Sequence, residues 1–146
     1  MNVPRKVLCV VYALIALLAL AGTWGHNLQY LSDGPIGGTL RFWQETLVNP
    51  ASRSITVDIL FYSLAVTLWM VMEARRLGMR GVWVYIALGV LIAVSVTFPI
   101  FMLNRERALA AKGASPLAGT LATADVVALL LMALAFVGFT AVTFLR

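Results

Sequence analysis

The chain has 146 residues, of which 62% are hydrophobic and only 12% charged, with a formal net charge of +5 and a mean hydropathy of +0.94. Soluble domains carry about 25% charged residues, so this balance excludes an ordinary soluble domain and points to an integral membrane protein. The 11 basic residues outnumber the 6 acidic ones. They lie mostly beside apolar runs, where they set topology and meet anionic head groups, so nucleic-acid binding is not expected.

In chain order, Arg5 and Lys6 open the first apolar run, Val7 to Thr23. Ala19-Leu20-Ala21 has the A-x-A pattern of a cleavage site, so a secretory leader competes with a retained first span over 7–24. The retained span is preferred. Cys9 sits inside this run as the only cysteine, which excludes an internal disulfide and reads as a small buried hydrophobe. With one His and one Cys, no Cys/His zinc site can be assembled, and no metal or cofactor is expected. No P-loop, G-x-G-x-x-G or G-x-S-x-G motif occurs.

The first connection, 25–54, carries turn signals at Gly34-Pro35 and Gly37-Gly38. Ile36, Leu40, Trp43 and Leu47 then recur at helical spacing, with Arg41 and Glu45 as an i,i+4 pair. This predicts a short amphipathic helix over 36–48, lying in the membrane interface or closing the bundle as a lid. A second span is expected over 55–73, followed by Arg75, Arg76 and Arg80 in a tight turn. A third is expected over 82–103, entered through Trp83 and Tyr85 as interface aromatics. Residues 104–119 read as a polar loop, and 122–145 as a fourth span.

The expected fold class is therefore all-α: one transmembrane domain, 1–146, forming a four-transmembrane-helix bundle with an interfacial helix between spans one and two. Four spans place both termini on one side. That side would hold Arg5, Lys6, Arg75, Arg76, Arg80 and Arg146, against Arg41, Arg53, Arg105, Arg107 and Lys112 opposite. The basic turn and first helix assign the termini to the cytoplasm.

On that topology His26, Asp58, Pro99, Asn104, Arg105, Glu106, Arg107 and Asp125 gather at the outer interface. An acid inside a span usually faces a partner cation or the bundle interior, so Asp58 is expected to pair with Arg105 or Arg107. Helix N-terminal capping explains Asp125 equally well and competes for Asp58. His26 is the one ordinary pH-responsive side chain. Tyr62 and Trp69 share a helix face with Asp58 and, with Pro99, are candidates to line a pocket. Gly89 with Ala93, and Ala124 with Ala128, are small-xxx-small pairs that allow close helix approach.

Asn49-Pro50-Ala51, Asp58, Glu73-Ala74-Arg75-Arg76-Leu77-Gly78, Phe98-Pro99-Ile100-Phe101 and Arg105-Glu106-Arg107 together carry a resemblance. Over roughly residues 8 to 110 the chain resembles the bacterial membrane-protein family catalogued as domain of unknown function 2834. The resemblance implies a small multi-span protein of the bacterial plasma membrane, with no established activity. It singles out Asp58, Pro99, Arg105 and Glu106, and leaves the last span outside. The expected function is a non-enzymatic accessory or scaffolding subunit of a larger membrane complex, its partners being lipids and other membrane subunits or a second copy. A binder or carrier of a lipid or small hydrophobic molecule, with a cavity near Asp58, is the alternative. A membrane enzyme acting on a lipid or isoprenoid through Asp58 or Glu106 ranks below both, because no convergent acid–base pair is visible.

Overall fold

A computed structural model describes residues 4–113 and 121–145. Every regular element among the described residues is a helix. Helix α1 spans Arg5–Asn27 and passes through a 3-10 turn, Leu28–Asp33, into α2, Gly34–Glu45. Helix α3 spans Pro50–Leu77, α4 Val82–Leu91, α5 Val94–Ala111 and α6 Thr123–Thr143. Three helical stretches, containing α1, α3 and α6, are long and apolar enough to cross a membrane.

Local chemistry sets the ends of α3. Asn49 accepts from the Ser52 amide at 2.9 Å while Ser52 Oγ accepts from the Asn49 amide at 3.2 Å, a reciprocal cap, and Pro50 fills the first turn. Gly78 closes the other end in the left-handed conformation, φ 68°, which a side chain would resist. The helix has 28 residues, about 42 Å at 1.5 Å per residue, longer than the span expected at 55–73. The short helix after α1 forms slightly earlier than its apolar stripe suggested, so Leu40 and Trp43 lie on α2 and Leu47 lies just past its end.

The third expected span is not one helix. It breaks at Ile92 and Ala93, where Ala93 is extended (φ −177°, ψ 139°). The chain then folds back: Asn104 Nδ2 donates to Tyr85 Oη at 2.9 Å, and the Tyr85 and Phe101 rings meet edge to face at 5.6 Å. Near the tip, a Cβ on Gly89 would stand 2.9 Å from Thr97 Oγ1, so glycine there permits the close return. The physical reasons are local. Val90, Ile92, Val94, Val96 and Thr97 are β-branched and weaken a continuous helix. A side chain at position 89 would force Thr97 to shift at the crossing. With 10 residues, α4 reaches about 15 Å, half a hydrocarbon core, before it turns. Residues 104–111, expected as loop, are the last turns of α5.

This hairpin changes the topology. Arg105 and Glu106 return to the same end as the arginine turn instead of lying opposite it. At the far end of α1, His26 Nε2 lies 3.0 Å from Thr143 Oγ1, and its ring stacks on Phe144 at 4.4 Å. The end of α6 therefore sits about 31 Å along α1 from Arg5, so the start of α1 and the end of α6 lie at opposite poles, where four full spans would have put them at one. Residues 114–120, where the rest of the second loop was expected, and Arg146 lie outside the described residues.

Helix α5 is the hub, packed along α1 on one side and against α3 and α4 on the other. The core lies towards the arginine end, where Val66, Met70 and Ala74 of α3 meet Val82 and Phe101 of the hairpin. Trp69 adds edge-to-face contacts to Phe98 and Phe101.

Candidate functional site

Above that core lies a buried ionic cluster joining three helices. Glu73 enters from the last turns of α3, Arg105 and Glu106 from α5, and Arg5 from the start of α1. Arg105 Nε donates to Glu73 Oε1 at 2.6 Å and its Nη1 to Glu106 Oε1 at 2.9 Å. Arg5 Nε lies 3.3 Å from Glu106 Oε2. Arg76 closes the outer face, giving Glu73 two further hydrogen bonds of 2.6 Å each. The Arg105 guanidinium also sits over the Trp69 ring, 5.7 Å from its centroid, within cation–π range.

Burial decides what this cluster does. The Glu106 and Arg105 side chains are 1% and 7% exposed, and Glu73 is 9% exposed, whereas Arg76 is 58% exposed. Arg105 neutralises two acids that would otherwise repel across a low-dielectric core, and its fork geometry lets one side chain serve both. Each carboxylate is held by two arginines. Acid–base chemistry needs a carboxyl within reach of a substrate proton; here the carboxylates are consumed in holding α1, α3 and α5 together. Among the described residues no group of three or more His, Cys, Asp and Glu could hold a metal ion.

The residues singled out in the sequence separate into two ends. Arg105 and Glu106 come together in the cluster. Pro99 lies buried in the second turn of α5, where its missing N–H leaves the Ser95 carbonyl without its helical donor. Trp69 lies beneath Arg105. Arg107 is exposed, with Nη1 3.5 Å from Asn104 Oδ1. Asp58 is exposed on α3, fifteen positions before Glu73 and so about 22 Å from it. The expected pairing of Asp58 with Arg105 or Arg107 is not made, because the hairpin carries both arginines to the other end. Tyr62 is exposed beside Asp58. Asp125 caps α6, accepting from the Ala122 amide at 2.9 Å, far along that helix from His26.

Three partners in the cluster were missed as site residues. Glu73 reads in sequence as the polar edge of a span, and Arg5 and Arg76 as topology charges. Arg76 meets Glu73 within one helical turn, but only the fold-back brings Glu73 and Arg5 to Arg105 and Glu106.

The opposite end is built differently. Arg41 bridges Asp33 at 3.0 Å and Glu45 at 2.9 Å, and Tyr30 Oη donates to Glu45 at 2.6 Å. A Cβ on Gly38 would collide with the Tyr30 carbonyl oxygen, so glycine lets α2 fold back on the 3-10 turn. Between α2 and α3 runs an apolar groove of about 350 Å³, lined by Phe42, Trp43, Ile55, Ile59 and Leu60.

Comparison with curated proteins and with solved structures found no match. A family model, described as a protein of unknown function, does match residues 11–107. That segment ends with α5's Arg105-Glu106-Arg107 and contains every member of the buried cluster except Arg5, while α6 lies beyond it. This all-helical membrane protein belongs to the DUF2834 family.

Proposed function

We propose that the protein is a non-enzymatic accessory or scaffolding subunit of a larger membrane complex, which it joins through α6. The observation that supports this is the isolation of α6. It touches the rest of the chain near its C-terminal end, through Thr140, Thr143 and Phe144, and none of its residues is buried. Ala124, Ala128, Ala135 and Gly138 recur at spacings of four, seven and three and so share a face. A Cβ on Gly138 would meet nothing within 4 Å. In lipid, helices associate by close packing of small residues. The partner is another membrane subunit or a second copy of this chain. The protein sits in the plasma membrane with its basic end in the cytoplasm, and α2, with Leu40 and Trp43 on it and Leu47 just past its end all exposed, lies in the opposite interface.

Affinity purification in mild detergent, combined with cysteine cross-linking at Ala128 and Gly138, tests the assignment. A stoichiometric partner or homodimer, cross-linked from these positions and lost in A128W/G138W, is the expected result. A monomer that gives no cross-links overturns it.

The groove between α2 and α3 supports a second reading, a binder of a lipid or small hydrophobic molecule, since Ile55 and Ile59, on either side of Asp58 in sequence, line it. Co-purified ligand lost on Ile59→Trp is its expected outcome. A wild-type protein that carries none after gentle extraction removes it.

A further inference from the structure

The turn joining α3 to α4 holds charge that the ion-paired cluster does not use. Among the described residues Arg5, Arg76 and Arg105 are all paired to glutamates at this end. Arg75 and Arg80 are exposed and have no hydrogen-bonding or ion-pair partner among those residues. Glu73 cannot relieve them, since Arg76 and Arg105 already occupy both its oxygens.

The backbone points both cations at one space. Gly78 and Gly81 both adopt positive φ, 68° and 77°, so the chain reverses within a few residues. The reversal leaves a cleft of about 350 Å³ lined by Arg75, Gly78, Arg80, Gly81 and Trp83. Trp83 stands 60% exposed at its rim. The first turn of α4 adjoins it without a side-chain cap.

We propose that this cleft binds the phosphodiester head group of an acidic phospholipid, with Arg75 and Arg80 as its ligands and Trp83 anchoring the rim. Three features select that occupant. The cleft lies at the end of an apolar spanning helix, the level at which lipid phosphates lie. Beyond the arginines that Glu73 and Glu106 hold in ion pairs, Lys6, Arg107 and Lys112 add positive charge at the same pole, so the local field favours an anion. Tryptophan is the residue preferred at head-group depth. Two arginine forks fit phosphate oxygens through paired donors.

Native mass spectrometry of the full chain in detergent, titrated with phosphatidylglycerol or phosphatidylcholine, tests the site. Wild-type protein is expected to retain phosphatidylglycerol in preference. In R75Q/R80Q that retention falls roughly tenfold or more, from the loss of two basic contacts near the surface. R41Q/R53Q, at the other pole, leaves it unchanged. Equal retention of the two lipids overturns the proposal, as does undiminished phosphatidylglycerol binding in R75Q/R80Q. Displacement by millimolar inorganic phosphate also overturns it, since that marks a free-anion site. Helical circular dichroism checks the fold of each variant. If the double variant fails it, R75Q and R80Q singly carry the test, each with roughly a fivefold loss.

Discussion

The two ends of the molecule handle charge in opposite ways. At the arginine end Glu73, Arg105 and Glu106 are buried, mutually paired and packed over an apolar core. At the His26 end the polar groups, Arg41 with Asp33 and Glu45, and Asp58, stay at the surface. A surface pair is worth about 0–1 kcal/mol. Removing one partner from a buried pair costs about 3–5 kcal/mol, because the charge left behind has no compensation. So the arginine end fixes how the helices are arranged, while the His26 end is free to vary. Substitution should make that difference measurable.

The largest effect is expected from Arg105→Met. It removes the buried cation between Glu73 and Glu106 and leaves them only the more exposed Arg76 and Arg5, so about 3 kcal/mol of stability is lost, the low end of the cost of breaking a buried pair. Denaturant unfolding in detergent measures this. Arg76→Gln removes hydrogen bonds to the same Glu73, yet Arg76 is mostly exposed, so at most about 1 kcal/mol is expected. Similar costs for the two variants would mean that burial does not distinguish them, and the comparison between the ends would fail.

The next test addresses the fold-back itself. Gly89→Ala places a methyl against Thr97 Oγ1, where the available distance is 2.9 Å. Overpacking costs about 1–3 kcal/mol, and the better helix propensity of alanine returns up to about 1 kcal/mol, so a net loss of about 1 kcal/mol is expected. Thr97→Ala in the same chain should recover most of it. In one continuous helix residues 89 and 97 would lie about 12 Å apart and would not couple. A double-mutant cycle with no interaction energy therefore rejects the hairpin.

That hairpin marks the limit of what the sequence discloses. The apolar runs 7–24, 55–73 and 122–145 are legible because hydropathy and length are all that mark α1, α3 and α6 as long and apolar enough to cross a membrane. The run 82–103 has the same composition, but hydropathy cannot tell a crossing from a half-crossing and return. The clue lay in the charges. Placing Arg105, Arg107 and Lys112 opposite the arginine turn gave nearly equal basic counts on the two sides, which the positive-inside tendency disfavours. With the hairpin folded back, Arg5, Lys6, Arg75, Arg76, Arg80, Arg105, Arg107 and Lys112 share one end and, among the described residues, only Arg41 and Arg53 lie at the other. The same step explains the site. Arg105 and Glu106 were singled out by their place at the end of a span and by the family resemblance, but their partner Glu73 is thirty-two positions from Arg105, and the pairing follows only from the fold-back.

The smallest effect is expected where the sequence placed most weight. Asp58 is exposed, fifteen positions from the cluster, and makes no ion pair among the described residues. It is also beyond the first turn of α3, where Asn49 and Ser52 already serve as the cap, so the macrodipole acts on it weakly. Asp58→Asn keeps the shape and removes the charge, and stability should stay within about 0.5 kcal/mol of wild type. The groove gives this variant a second readout. Its lining is nearly all apolar, so a hydrophobic ligand held there needs no charge at Asp58, and ligand recovery should also be unchanged. Lost recovery with unchanged stability would make Asp58 a recognition group and shift the functional reading from α6 to the groove. Lost stability would mean that the His26 end contains a buried charge network of its own, and the contrast between the two ends would no longer hold.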